Sequence, residues 1–173
     1  MDPFEANVVD SSLSEQLISG EIDPEQFLNE IAAAEESDLS RTKAGENLEM
    51  LNSAQVRDFL QPFPELAAQY ENQRSIAAFH VAQQRLIEND LADALPFLTQ
   101  ALEAAQAVAW SGLYDGWRNY IAGTIAYTNG DQAALEAICP TLAYDPDYLP
   151  IIMRMNESLK NGQPIDYNRD YNV

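Results

Sequence analysis

The sequence predicts an all-α protein built from antiparallel helix pairs, and three observations carry that prediction. Apolar residues recur at three- and four-residue intervals along most of the chain, no segment sustains the strict alternation of a half-buried strand, and short Asn, Asp and Gly turns punctuate the helical stretches. With 173 residues, 46% of them apolar, the chain suits a single domain with its own core.

Residues 1–10, MDPFEANVVD, show no period and are expected to fray. Residues 11–62 read as acidic N-terminal helices. Ser12 or Ser14 caps a short first helix that Gly20 stops. Asp23 caps the next, with Pro24 in its first turn, Glu25 at the positive end of its dipole, and Phe27, Leu28 and Ile31 on one face. SDLSRTKAGE, residues 37–46, is polar and reads as a loop, after which NLEML and SAQVRDFLQ give short helical pieces.

Pro62 and Pro64 open the region 63–162. Leu66, Tyr70, Ile76, Phe79, Val81, Leu86 and Ile87 describe one long helix from Glu65 to about Asn89, and Leu91, Ala94, Leu95, Leu98, Ala101 and Leu102 describe a second, to about Ala109. SGLYDG, residues 111–116, separates this pair from a helix over Trp117–Thr128. Asn129-Gly130 ends that helix, Asp131 caps QAALEAICPTLA, and DPDYLP introduces a last helix from Leu149 to Lys160 with Asp147 as its expected cap. Pro96 and Pro140 fall inside helical stretches and should kink them, since each removes an i to i−4 hydrogen bond. Residues 163–173, QPIDYNRDYNV, form a tail that either docks back on the domain or serves as a recognition peptide.

Charge sets the chain apart. There are 28 acids against 9 bases, a net of −19, and residues 1–70 alone carry −12. That field repels nucleic acid and anionic membranes, whose protein partners bind them largely through Lys and Arg. It favours a basic protein or peptide partner, or else it serves solubility alone. The first 40 residues hold 11 acids and no Lys or Arg, unlike a signal peptide, and no apolar run is long enough to span a bilayer, so a cytoplasmic protein is expected. Cys139, the only cysteine, excludes an intramolecular disulfide and a CxxC metal site.

The turns Asn89-Asp90, Gly130-Asp131 and Gly162 are spaced by 41 and 32 residues. After the first, Leu91, Ala94, Leu98 and Ala101 alternate small and bulky residues; after the second, Leu135, Cys139 and Leu142 do so in part. Ala82 and Gly123 are small residues seven positions before their turns. These stretches, over about residues 75–162, resemble tetratricopeptide repeats, although Arg85 and Ala126 stand where that family places an aromatic. The resemblance implies a right-handed array of helix pairs with the N-terminal helices packed on it or in its groove. An irregular helical bundle is the alternative.

Trp117, Tyr120, Thr124 and Tyr127 follow one helical face, beside the apolar stripe of Ile121, Ala122 and Ile125. The resemblance places Trp117, Tyr120, Thr124, Tyr127 and Thr128 on the concave surface, as the residues that would bind a partner, and Ile76, Phe79, Gln83, Leu86 and Ile87 on the same side of the preceding unit. The competing expectation is that the aromatics are covered by the N-terminal helices.

The remaining chemistry is sparse. His80 is the only histidine, has Gln84 and not an acid one turn on, and reads as a hydrogen-bonded structural residue. Asp145 and Asp147 lack the further oxygen ligands of a calcium loop, and Glu35-Glu36 and Glu46-Glu49 read as solvated faces. No catalytic residue, cofactor or metal site is therefore expected. The function expected is a non-enzymatic adaptor or chaperone-like module that binds a peptide or partner helix in an aromatic groove; the alternative is an acidic inhibitor or nucleic-acid mimic that occupies a basic surface of a partner.

Overall fold

The computed structural model describes residues 12–37, 41–108 and 115–171; among these it shows ten α-helices, a short 3-10 turn and no strand. In order they are α1 (Leu13–Ser19), α2 (Pro24–Ser37), α3 (Arg41–Asn52), α4 (Ala54–Leu60), α5 (Pro64–Ile87), α6 (Leu91–Ala107), α7 (Asp115–Thr128), α8 (Gln132–Ile138), α9 (Leu149–Lys160) and α10 (Tyr167–Tyr171). The chain is all-α. The expected fraying of residues 1–10 lies outside the described residues.

Local signals set most boundaries. The Ser12 hydroxyl accepts the Glu15 amide while the Glu15 carboxylate accepts the Ser12 amide, a reciprocal capping box at the head of α1. Asp23 accepts the Gln26 amide at 2.8 Å ahead of α2. Several helix-ending turns share one geometry, which Gly20 at the end of α1 also adopts. Asn89, Gly130 and Gly162 all adopt left-handed backbone, with φ of 60°, 68° and 64°. In each turn the following amide bonds back five residues, Asp90 to Arg85, Asp131 to Ala126 and Gln163 to Ser158. Asp90 and Asp131 then cap α6 and α8 through the Asp93 and Ala134 amides.

Consecutive helices pack side by side. α5 and α6 form the most extensive contact, α7 lies on α6, α8 on α7, and α9 against both α7 and α8. Close approach relies on small residues: Ala82 is fully buried, and a Cβ on Gly123 would come within 2.5 Å of the Ile152 Cδ1 atom of α9. On the other flank α3 runs along α5, with α2, α4 and α1 closing that end. Polar ties cross these seams. The Tyr70 hydroxyl donates to the Leu51 carbonyl at 2.5 Å, and Gln100 donates to Asn52 at 2.8 Å. The Trp117 indole donates to the Ser75 hydroxyl at 2.9 Å, which in turn donates to the Ala101 carbonyl at 2.7 Å, so one relay joins α7, α5 and α6.

Four expectations need correction. Residues 41–46, read as loop, begin α3, because Ala44, Asn47, Leu48 and Leu51 are buried on one face and tertiary packing outweighs a polar local sequence; residues 38–40 lie outside the described set. Pro140 ends α8 at Ile138 and turns Cys139–Leu142 into 3-10 geometry, while Pro96 leaves α6 continuous. Ala92 and Pro96 are both exposed, so the carbonyl that loses its donor lies on the solvent side of α6. Finally, Asp147 caps nothing. It is Asp145 whose carboxylate accepts the Asp147 and Tyr148 amides, at 3.2 and 3.1 Å. Among the described residues no helix is long and apolar enough to cross a membrane.

Candidate functional site

The face of α7 singled out in the sequence is largely covered. Tyr120, Thr124, Tyr127 and Thr128 are buried, and only Trp117 is half-buried. The two threonines bond back to their own helix, Thr124 to the Tyr120 carbonyl and Thr128 to the Thr124 carbonyl, and present no free hydroxyl hydrogen. Over Tyr120 and Tyr127 the cover is not the N-terminal helices but Phe79 of α5, Tyr148 at the head of α9 and the C-terminal segment of the chain itself.

That segment is held by side chains of three helices. The Tyr127 hydroxyl donates to Asp170 at 2.5 Å and accepts the Asp166 amide at 2.7 Å. The Ser158 hydroxyl donates to the other Asp170 oxygen at 2.8 Å, and Arg154 of α9 donates to the carbonyls of Asp170 and Tyr171. The Gln83 amide of α5 donates to the Tyr167 hydroxyl at 3.1 Å, with the Tyr120 hydroxyl at 3.5 Å, and Asn168 donates to the Ile87 carbonyl at the end of α5. Burial pushes the Tyr120, Tyr127 and Tyr167 phenols well above their ordinary pKa, so they remain neutral. Burial alone would also raise the Asp170 carboxyl. The hydrogen bonds from Arg169, Tyr127 and Ser158, with the Arg169 charge, outweigh it and hold the group below the usual aspartate value.

Beyond the tail, part of this surface stays open as a cleft of about 290 Å³ between α5, α7 and the start of α9. Its walls are Phe79, Trp117, Tyr120, Tyr148, Ile151 and Tyr171, with His80, Gln83 and Asp147 supplying polar atoms. The rings form one cluster. Phe79 meets Trp117 edge-on at 4.9 Å between centroids, and Tyr120 stacks on Tyr148 at 4.6 Å with 10° between their planes.

His80 lies at one edge of the cleft and also lines a second hollow, of about 280 Å³, with Ala32, Glu35, Glu36, Gln73 and Ile76. Its Nδ1 atom pairs with the carboxylate of Glu35, which also accepts the Asn47 side-chain amide at 2.6 Å. The hydrogen-bonded histidine expected from the sequence is thus found, with its acid 45 residues away on α2. Glu35 is not solvated, as its pairing with Glu36 in sequence suggests, but buried, while Glu36 is exposed. The signal was present: Glu35 continues the inward stripe one turn after Ile31.

Tyr148, Ile151, Asp147 and Tyr171 have no sequence pattern that marks them for this cleft; the tertiary fold brings them to it. Phe79 and Gln83, placed on the same side as Trp117 by the repeat alignment, do meet it there, whereas Ile87 is exposed at the end of its helix. Cys139 is half-buried, with burial pushing its thiol pKa up. Among the described residues no three His, Cys, Asp or Glu side chains are grouped to hold a metal ion. No family model matches the chain, and no curated protein or solved structure is significantly similar to it.

Proposed function

We propose that this chain is a non-enzymatic protein–protein interaction module of the cytoplasm, a tetratricopeptide-like array that receives a peptide or helix of a partner protein in the cleft between α5, α7 and α9. One observation carries the reading. The surface that includes Trp117 already holds a polypeptide segment, Tyr167–Tyr171, and beside it an aromatic cleft remains open. Tyr and Trp are the residues that give a binding surface large contact area together with a polar handle. Of the partner-binding residues expected from the sequence, only the half-buried Trp117 is open to an incoming partner; Tyr120 and Tyr127 are engaged by the tail, and Thr124 and Thr128 are buried and bonded to their own helix. The acidic surface steers basic segments to the site and raises the association rate more than the final affinity.

The test is affinity capture from native lysate at low and high salt, with a photo-crosslinking residue in place of Ile151. The expected outcome is a partner crosslinked at that position, captured less at high salt and lost when Trp117 and Tyr148 are both replaced by alanine. A partner that survives the double replacement and crosslinks elsewhere would remove the cleft from the function.

A further inference from the structure

The cleft is specific in charge as well as shape. Among the described residues no Lys or Arg lines it, and the acid at its rim, Asp147, is exposed. Asp145, its neighbour, is already engaged by two amides of the turn, so Asp147 is the carboxylate left to face an occupant. His80 does not reverse this balance. Its Nδ1 atom is paired with the Glu35 carboxylate, so it brings no uncompensated positive charge to the cleft. The Tyr148 phenol registers the same surroundings: burial first, then Asp145 and Asp147, push its pKa up. The remaining polar atoms belong to Gln83 and the tyrosines, and the whole chain carries −19.

These features separate the three kinds of side chain a partner could insert. An anionic group would meet Asp147 and the acidic field with no cation to receive it. A purely apolar group would fill the aromatic walls but would leave the Asp147 carboxylate at the rim without a counter-charge. A cation gains from both, since it is attracted to the ring quadrupoles and to the carboxylate at the rim. We infer that this cleft is a binding site for a cationic side chain of a partner polypeptide, an arginine, a lysine or its methylated form. The inference rests on the reading of the cleft as the partner site and names the chemistry of what enters it.

The ring spacing fixes where the cation goes. Neighbouring centroids lie 4.6–5.9 Å apart, so the rings touch one another and leave no slot between them. The cation therefore seats at the mouth, on the open parts of Trp117 and Tyr148 beside Asp147, and does not enter a closed cage. Such a site holds one side chain weakly and gains its affinity from the rest of the partner segment.

The full-length, isotope-labelled protein should be titrated with choline, with a blocked arginine amide and with dimethylbutanol, the uncharged isostere of choline, while the Trp117 indole N–H signal is followed by NMR. Both cations are expected to shift the signal saturably and the neutral isostere much less. Asp147→Asn should weaken the cations about two- to fivefold, as for an exposed ion pair, and Tyr148→Ala should weaken them further. Asp147 is exposed and its side chain caps nothing, so that variant keeps the fold. Equal shifts from dimethylbutanol would overturn the charge preference while leaving the cleft as a partner site. No shift from any of the three, or cation binding unchanged in Asp147→Asn, would overturn the inference; capture of a partner crosslinked at position 151 would then still support the wider function.

Discussion

One phenol on α7 organises the C-terminal segment: the Tyr127 hydroxyl donates to the Asp170 carboxylate at 2.5 Å and accepts the Asp166 amide at 2.7 Å. Both the start and the body of α10 are thereby anchored to a fully buried side chain. Tyr127→Phe keeps the ring and removes both bonds. We expect a loss of about 1–3 kcal/mol in urea unfolding, because a buried carboxylate loses one of its donors. It should also give faster amide exchange in residues 166–171 than in the wild-type protein. Wild-type exchange there would show that the segment is held by its other anchors, without the Tyr127 hydroxyl.

Acid should weaken the same anchor. Asp170 is held below the ordinary aspartate value of 3.8, so its ionised form is favoured in the folded state. Its contribution is complete above about that pH and is lost as pH falls through the lower, folded value. Stability should therefore decline below pH 3.8 with a component that Asp170→Asn abolishes. Urea midpoints for the two proteins across that range are the check; parallel curves would contradict it.

At the alkaline end the sign reverses. Tyr120, Tyr127 and Tyr167 have folded values raised above the ordinary 10.0, chiefly by burial. Their contribution is complete below that pH and falls as pH rises toward the folded values, because only the unfolded chain releases those protons easily. Base titration followed by phenolate absorbance should show these three tyrosines ionising together with unfolding.

Glu35 joins α2, α3 and α5 through His80 and Asn47. Glu35→Ala leaves the buried Asn47 amide and His80 Nδ1 without their acceptor and should cost about 2–4 kcal/mol. Glu35→Gln retains one acceptor and should cost less. Equal losses from the two variants would show that the charge and second acceptor oxygen of the carboxylate, and not the volume of the side chain, set the value of this site.

Gly123 allows α9 to approach α7. Gly123→Val drives a methyl-bearing side chain into Ile152 and Ile138 and should destabilise by about 1–3 kcal/mol through overpacking. Ile152→Ala removes the nearest obstruction. In a double-mutant cycle the two changes should together cost less than the sum of each alone. Strict additivity would place the contact elsewhere.

The helices themselves were legible in the sequence because their signals are local. Ser12 and Glu15, Asp23, Asp90 and Asp131 act within three residues of their own helix starts, and Gly20, Asn89, Gly130 and Gly162 take the left-handed backbone their turns require. The small residues at 82 and 123 likewise foretold close packing. The aromatic stripe on α7 was visible too, but its partner was not, since a period shows that a face is buried or bound and never names what covers it.

Tertiary structure decided the rest. It made residues 41–46 helical by giving Ala44 and Leu48 a core to enter, although their own sequence is polar. It supplied His80 with an acid from α2, and it laid Tyr167 and Asp170 over Tyr120 and Tyr127, 43 to 47 residues away in sequence. It also brought Tyr148 and Asp147 beside Trp117 to form the open cleft. Short-range hydrogen bonding and hydrophobic period thus determined the elements, while the sites depend on contacts whose free energy arises only when distant segments are already packed together.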